Sequence, residues 1–365
     1  MVKQTFLPDC LSRNKEMQFN SLLELSAKLG VDPQLVQANN GNASLKVDGV
    51  LWIKASGKCL ANATWEQTFV PVELEAIRGS LRNNLEIART VPRASSLRPS
   101  IETAMHAVLP HPVVVHVHSI NTIAWAIRAD GPEQLEKRLA GLHWQWVPYV
   151  PSGVPLAREI EQLLRKAPET DVFILGNHGL VVCGADCEAV EALLGEVERR
   201  VAIAPRSSPE PSAALFAVIS RSSRWKFPEA QALHALGTDA ISRAILRKGV
   251  LFPCQIIFLG PKLTVLPCSV PLSRLEAYFN NEAEAPSYAI VEGGGVIVSE
   301  NIHRAEYETL LGLMEVVQRV EASAPLRYLT EAEVSNILSD GTHNYRESVL
   351  SGDRPPMTRA AHPSS

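Results

Sequence analysis

The sequence predicts an α/β protein of two domains. Its 365 residues correspond to about two domains of ordinary size. Helical and strand-like hydrophobic patterns alternate along the chain, and residues 204–212 hold three prolines and three serines, which is typical of an interdomain linker. We therefore predict a first domain over 1–204, a linker over 205–212, a small α/β domain over 213–351 and a tail without fixed structure over 352–365.

The composition is that of an ordinary globular protein. Hydrophobic residues make up 46% and charged residues 20% of the chain, and the formal net charge is −4. These values exclude a wholly disordered chain, and they predict no binding to nucleic acid or to an anionic membrane surface. The first residues lack the apolar core of a signal peptide, and no run of about 18 apolar residues occurs. We therefore expect a cytoplasmic protein whose six cysteines, which form no CxxC pair, are free thiols.

The first domain is predicted to begin with a helix and a hairpin. Apolar residues recur at helical spacing over 16–30, and Gly30 is a typical helix stop. Residues 45–54 alternate as two strands around Asp48-Gly49, a dipeptide favoured in two-residue hairpin turns.

A capped helix and alternating elements follow. Ser100 is placed to cap a helix through Leu109, which Pro110 ends. The rest of this domain is predicted as a strand over 113–119, a helix over 155–166, strands over 173–175 and 180–183, and a helix over 188–203.

The second domain is predicted to mix helices with strands. Its helical patterns cover 213–221, 229–247, 271–280, 302–321 and 330–338, and its strand patterns cover 255–259, 263–266, 287–291 and 295–299. Gly293-Gly294-Gly295 lies between the last two strand patterns. The triplet lacks the GxGxxG spacing of a dinucleotide-binding loop, so we predict a tight turn there.

Histidines are concentrated in one part of the chain. Six of the ten lie between positions 106 and 178, where an even spread would place about two. His116 and His118 are two residues apart within a predicted strand, so their side chains share one face. Two neutral imidazoles at this spacing are able to chelate one divalent ion, although ordinary buried polar positions show the same pattern.

Two further features supply donors for such a site. His178 lies in a Gly-Asn-His-Gly segment that permits a sharp turn, and Glu102 and His106 lie four residues apart on one helix face. Each feature alone fits a simpler alternative, a turn residue or an exposed helical pair. Together, three histidines and a carboxylate form the ligand set of a catalytic zinc site, where the ion acts as a Lewis acid and the carboxylate moves a proton.

Five motifs occur in the order found in a known family. They are Asn40-Gly41-Asn42-Ala43-Ser44, Lys54-Ala55-Ser56-Gly57, Arg98-Pro99-Ser100-Ile101-Glu102 with His106, His116-Val117-His118, and Asn177-His178-Gly179-Leu180. With these motifs the chain from about 15 to 204 resembles the class II aldolase/adducin family. Members include fuculose-phosphate and rhamnulose-phosphate aldolases and ribulose-phosphate 4-epimerase.

The resemblance implies a fold and an assembly. The expected fold is a three-layer αβα arrangement with a central, mainly antiparallel sheet, and the expected assembly is a homotetramer with its sites at subunit contacts. Carried over by position, His116, His118 and His178 would bind Zn²⁺ or another divalent metal. Glu102 would be the catalytic carboxylate that transfers the proton, and a metal ligand itself when substrate is absent.

The resemblance also implies a substrate pocket. Asn42, Ser56, Gly57 and Ser100 match positions that cradle the substrate phosphate in the aldolases, where backbone N–H groups and short hydroxyls bind anions. Ile101 stands where the aldolases have a second serine. The resemblance therefore leaves open whether the substrate carries a phosphate or another polar or carboxylate group.

The general acid of the aldolases has no match. A tyrosine is expected about 20 residues after the second zinc histidine, but residues 128–142 contain none. Tyr149 matches a structural family position. His143 is an alternative acid, or simply a packing histidine beside Trp144.

The second domain has a resemblance with fewer motifs. It is similar to the segment that follows the aldolase domain in longer rhamnose-utilisation-type family members. The similarity rests on Phe258-Leu259-Gly260-Pro261, Val291-Glu292-Gly293-Gly294-Gly295-Val296 and Ala324-Pro325-Leu326-Arg327-Tyr328-Leu329-Thr330.

The leading hypothesis is therefore a zinc-dependent lyase. It would cleave a carbon–carbon bond of a sugar-derived hydroxy-ketone, phosphorylated or not, through a metal-stabilised enediolate. The alternatives are an epimerase or decarboxylase on the same scaffold, a hydrolase that uses metal-activated water, and a non-catalytic interaction domain like adducin.

Overall fold

The computed structural model describes residues 13–83, 97–212, 224–267 and 286–339, with Arg346 and Val349. The predicted helices at 213–221 and 271–280 and the tail from 352 lie outside these residues. None of the helices in the described ranges is long and apolar enough to span a lipid bilayer.

The described residues between 13 and 201 form a seven-stranded sheet with helices on both sides. The strands are β1 (Asn42–Val47), β2 (Val50–Lys54), β3 (Phe69–Glu73), β4 (Val113–Val117), β5 (Trp144–Val147), β6 (Val172–Leu175) and β7 (Gly179–Gly184). Their order across the sheet is β3-β2-β1-β4-β7-β6-β5, and every pair is antiparallel except β5 with β6. The predicted central, mainly antiparallel sheet is confirmed.

Helices complete the two outer layers. Those in the described ranges are α1 (Arg13–Gly30), α2 (Leu74–Arg82), α3 (Thr103–Val108), α4 (Ile120–Ala126), α5 (Gly131–Arg138), α6 (Val154–Lys166) and α7 (Cys187–Val201). Alternation along β4 assigns the layers, because Val113, Val115 and Val117 pack with α1, α4, α5 and α7, whereas Val114 packs with α3 and α6. His116 points to the same face as Val114, beneath α3.

Two expectations about the helix after Ser100 are wrong. The helix begins at Thr103, its N-cap is Glu102, and no side chain caps it. The Ser100 hydroxyl instead accepts a hydrogen bond from the N–H of Glu102 at 3.2 Å, and the N–H of Ser100 donates to the carbonyl of Lys54 at 3.0 Å. Glu102 therefore stands at the helix entrance rather than on the helix face.

The second part of the chain contains a four-stranded sheet and further helices. The strands β8 (Trp225–Lys226), β9 (Val265–Leu266), β10 (Tyr288–Val291) and β11 (Gly295–Ser299) lie in the order β8-β11-β10-β9. Its described helices are α8 (Ala235–Thr238), α9 (Ala240–Leu246), α10 (Pro253–Leu259), α11 (Arg304–Gln318) and α12 (Glu331–Ser339). The predicted tight turn between β10 and β11 forms at Glu292, Gly293 and Gly294, and Gly295 begins β11.

Two predicted elements of this part are wrong. The apolar run 255–259, predicted as a strand, is helical because Pro253 starts a helix at its first position. The predicted helix over 229–247 is divided into a 3-10 turn, α8 and α9, since Asp239 stops one helix and caps the next through the N–H of Ser242.

The two parts of the chain share one apolar core. The side chains of Ile120, Ile123 and Ile127, from in and beside α4, pack in one cluster with Leu313 and Val317 of α11. Residues 205–212 run along the second part, where the N–H of Arg206 donates to the carbonyl of Gln318 and that of Ser212 to Gly294. The predicted division at 205–212 stays a prediction.

Candidate metal centre

Strand pairing brings three histidines to one end of the sheet. His116 and His118 lie at the end of β4, and His178 lies in the turn that joins β6 to β7, the antiparallel neighbour of β4. The ring centroids are 4.9 to 5.2 Å apart. One donor atom from each ring lies within 4.8 Å of the others, and all three residues are buried.

Contacts behind the rings determine which nitrogens face the centre. His116 Nδ1 donates to the carbonyl of Leu180 at 3.0 Å, so its Nε2 presents a lone pair. His118 Nδ1 faces the Cys254 thiol at 3.3 Å, and its Nε2 lies 3.1 Å from Nε2 of His116. The Nε2 atoms of His116 and His118 therefore face the same point.

The carboxylate of Glu102 faces the same point. Its Oε2 lies 3.5 Å from His116 Nε2, and its Oε1 lies 3.4 Å from His178 Nε2. Asn42 Nδ2 donates to Oε2 at 2.7 Å, and the Ser152 hydroxyl donates to Oε1 at 3.2 Å. Both oxygens are thus oriented by neutral donors while remaining against the imidazoles.

The four side chains fit a divalent ion. A tetrahedral zinc ion with bonds of about 2.0–2.1 Å places neighbouring donor atoms about 3.3 Å apart. The separations of 3.1, 3.4 and 3.5 Å between pairs of these atoms are close to that spacing, and the donor atoms of the three histidines lie within 4.8 Å of one another. Imidazole nitrogens with one carboxylate are also a donor set that zinc prefers.

The protonation states suit metal binding as well. Burial lowers the pKa of His178 to about 4, and burial together with neighbouring imidazoles lowers that of His118 well below its usual value. For Glu102, burial alone would raise the pKa, but the positive charge that the adjacent imidazoles carry when protonated, together with the Asn42 hydrogen bond, outweighs it and holds the pKa below its ordinary value. Neutral imidazoles beside an ionised carboxylate are the forms that bind metal ions.

A buried lysine fixes the turn that carries Asn42. Lys54 Nζ donates to the carbonyls of Asn39 at 2.7 Å and Gly41 at 2.9 Å, and burial lowers its pKa to about 8. Gly41 has φ +68°, and a Cβ there would stand 2.9 Å from the carbonyl oxygen of His116. The turn therefore needs glycine to pass close beneath β4.

The predicted substrate-binding residues lie on adjoining loops. Asn42 Nδ2 is 3.3 Å from the Ser100 hydroxyl, next to Glu102. Ser56 donates its N–H to the carbonyl of Arg98 at 2.8 Å, and the Gly57 carbonyl accepts from Asn39 at 2.9 Å. Their substrate-binding roles stay predictions.

The structure also places three other residues that the sequence analysis considered, His106, His143 and Tyr149. His106 contacts the Ser44 hydroxyl at 2.7 Å through Nδ1 and Asn42 Oδ1 through Nε2, so it orients Asn42. His143 is exposed at the start of β5, at the end of the sheet opposite His178. Tyr149 packs its ring against the Arg327 guanidinium, and burial raises its pKa to about 12.

Sequence reasoning missed several contacts with the centre. Ser152 follows a proline in a loop, and nothing in its spacing points to Glu102. Cys254 and Leu251 lie in the second part of the chain, and they become neighbours of His118 and Asn177 only through tertiary packing. Since no local pattern links residues more than 70 positions apart, only the fold reveals these contacts.

Comparisons with known proteins agree with the fold and the motifs. The family described as "Class II Aldolase and Adducin N-terminal domain" matches residues 20–204, half of the chain. The chain belongs to this family.

Among curated proteins, the chain is similar to "Uncharacterized oxidoreductase YuxG" of Bacillus subtilis (strain 168). The two are 28% identical over 184 residues, which is 46% of this chain and 26% of that protein. The chain therefore spans only about a quarter of that relative's length.

Two solved structures illustrate the structural similarity. The N-terminal class II aldolase domain of a conserved protein from Thermoplasma acidophilum has a TM-score of 0.46 and 22% identity, over 55% of this chain and 97% of that chain. L-fuculose-1-phosphate aldolase from Thermus thermophilus has a TM-score of 0.36 and 17% identity, over 50% of this chain and 91% of that chain.

Proposed function

We propose that the protein is a divalent-metal-dependent aldehyde-lyase, with zinc as the expected ion. It cleaves a carbon–carbon bond of a sugar-derived hydroxy-ketone and releases an aldehyde. The observation that carries this proposal is the convergence of the Glu102 carboxylate and three imidazoles in one buried cluster. A non-catalytic interaction domain has no need of this arrangement, because a buried carboxylate is costly unless it is paired.

The proposed roles divide between the histidines and Glu102. His116, His118 and His178 hold the ion, which when bound supplies a Lewis acid to the ketone and adjacent hydroxyl oxygens of the substrate. Aldol cleavage moves one proton from the hydroxyl of the departing carbon to the carbon left behind. Glu102 is the proposed carrier of the proton at that carbon, since its oxygens lie beside the ligand nitrogens and are oriented by Asn42 and Ser152.

The substrate is a small sugar-type molecule in this proposal. Asn42, Ser56, Gly57 and Ser100 bind its polar end, which is a phosphate or another anionic or hydroxylated group. Ile101 lies beside them with 70% of its surface exposed, and it offers no hydrogen-bond donor from its side chain. A homotetramer is the assembly expected from the family resemblance, and light scattering on the purified protein measures it.

Metal analysis and a substrate screen test the function. The purified full-length chain should hold about one divalent ion per protomer, His116→Ala should lose it, and His143→Ala, which alters an exposed histidine, should retain it. Ketose phosphates, free ketoses and 3-keto acids are then assayed for released aldehyde, released carbon dioxide and inverted stereochemistry. Aldehyde release supports the lyase. Carbon dioxide or inversion instead identifies a decarboxylase or an epimerase, and a native protein that binds no metal overturns the proposal.

A further inference from the structure

We propose that Cys254 is a positioning residue of the metal centre. Its thiol holds the His118 ring from behind, so that the second part of the chain completes a site whose histidines all lie in the first part. This inference rests on the proposed function, in which His118 is a metal ligand.

The thiol lies on the outer side of the His118 ring. Cys254 Sγ is 3.3 Å from Nδ1, whereas the opposite ring nitrogen, Nε2, is the atom that approaches His116. Both residues are 6% exposed, so the contact is shielded from bulk water. The geometry therefore assigns the sulfur to orientation of a ligand rather than to coordination.

A thiol suits this position because it both donates and accepts. A neutral imidazole that binds an ion through Nε2 carries its proton on Nδ1, and Cys254 Sγ then accepts that proton's hydrogen bond. In the other tautomer, the S–H group donates to Nδ1. The Leu180 carbonyl behind His116 only accepts, so it permits one tautomer of that ring. His118 is thus the ligand that can change tautomer as an ion arrives.

The segment that carries Cys254 is anchored to a second ligand as well. The carbonyl of Leu251 accepts a hydrogen bond from Asn177 Nδ2 at 2.8 Å, and Asn177 directly precedes His178 in the chain. The N–H of Leu251 donates to Gln255 Oε1 at 3.0 Å, and Gln255 is buried in the first turn of α10. One short rigid stretch therefore supports the neighbourhoods of two of the three histidines. Partners behind a metal ligand fix its ring and raise its affinity for the ion.

Chelator competition with zinc on the full-length chain tests the inference. Cys254→Ala should weaken zinc binding by about 10- to 100-fold, the range measured when the partner behind a ligand is removed. Cys254→Ser has nearly the same side-chain volume as the alanine variant, but its hydroxyl still donates and accepts, so it should lose less affinity. Cys183→Ala removes another buried thiol, in β7 and packed among apolar side chains, and it should bind zinc like the wild type.

The outcomes separate this inference from the proposed function. Equal weakening in Cys254→Ala and Cys254→Ser would assign Cys254 to packing alone and overturn the inference. Wild-type affinity in Cys254→Ala would also overturn it, while leaving the metal centre intact. A wild-type protein that binds no zinc overturns both the function and the inference. With Co²⁺ in place of zinc, the wild type should show no thiolate-to-cobalt charge-transfer band, and such a band would make Cys254 a ligand instead.

Discussion

Asn177 and Arg327 exchange hydrogen bonds across 150 positions of the chain. Asn177 Nδ2 donates to the carbonyl of Arg327 at 2.9 Å, and Arg327 Nη1 donates back to Asn177 Oδ1 at 3.0 Å. Asn177 holds a left-handed backbone, with φ +52°, immediately before His178. A conformation of this kind persists only when its surroundings determine it. The residue beside a candidate metal ligand is thus held by the second part of the chain.

Substitution of Asn177 should separate its backbone role from its side-chain role. Asn177→Ala loses the side-chain hydrogen bonds and adds left-handed strain, so the unfolding free energy should fall by about 3 kcal/mol. Asn177→Gly loses the same bonds but adopts φ +52° freely, and it should lie between alanine and wild type. Urea unfolding of the three proteins measures this order. A glycine variant as stable as wild type contradicts a stabilising role for the carboxamide.

His106 should matter for stability without holding the ion. Its two ring nitrogens contact Ser44 and Asn42, so His106→Ala leaves both partners buried and unsatisfied. The unfolding free energy should fall by about 2–3 kcal/mol, while the metal content stays near one ion per protomer. Denaturant titration and elemental analysis check the two halves of this expectation. Loss of the ion to the extent seen in His116→Ala would make His106 a ligand.

Glu102→Gln should separate proton transfer from metal binding. The amide keeps the size of the carboxylate but carries no proton-accepting charge, so kcat should fall at least about 100-fold. The three histidines remain, and the metal content should stay close to that of the wild type. Turnover of the substrate identified in the screen and elemental analysis measure both quantities. Glu169→Gln, at an exposed position, is the matched control, and unchanged kcat in Glu102→Gln would remove the proposed role.

The metal-free protein should lose stability as the pH falls through the range 6.5 to 4. The pKa of His178 is about 4 in the folded protein and 6.5 as its ordinary value, because burial disfavours the charged ring. In this range the unfolded chain binds a proton that the folded chain does not, so acidification favours unfolding. His178 should contribute a loss of about 2 kcal/mol between pH 7 and pH 5.

Urea unfolding with a chelator present measures this pH dependence. His178→Asn cannot take up the proton, so its unfolding free energy should fall less between the two pH values than that of the wild type. Equal losses in both proteins would show that His178 does not titrate differently on folding.

Patterns with a strong local cause predicted most of the first part. Alternation along β4 assigned Val113 and Val115 to one face and His116 to the other, and the structure has this arrangement. The hairpin at Asp48-Gly49 also forms as expected. Such features depend on neighbouring residues only, so they can be predicted from the sequence.

Errors arose where a local signal competed with distant contacts. Ser100 has the chemistry of a helix cap, but its N–H is paired with β2, and the helix starts three residues later. Residues 256–259 are all apolar, so periodicity cannot separate a strand from a buried helix, and Pro253 decides in favour of the helix. Cys254 shows the limit most clearly, because its neighbour His118 lies 136 positions away.

The contact of α4 with α11 has a consequence for the first part of the chain as a separate domain. The stretch that matches the family ends at residue 204, yet Ile120 and Ile123 within it are covered by side chains beyond residue 300. A chain that ended at that boundary would expose an apolar surface to water. The half that carries the histidines therefore depends on side chains beyond residue 300 to bury Ile120 and Ile123.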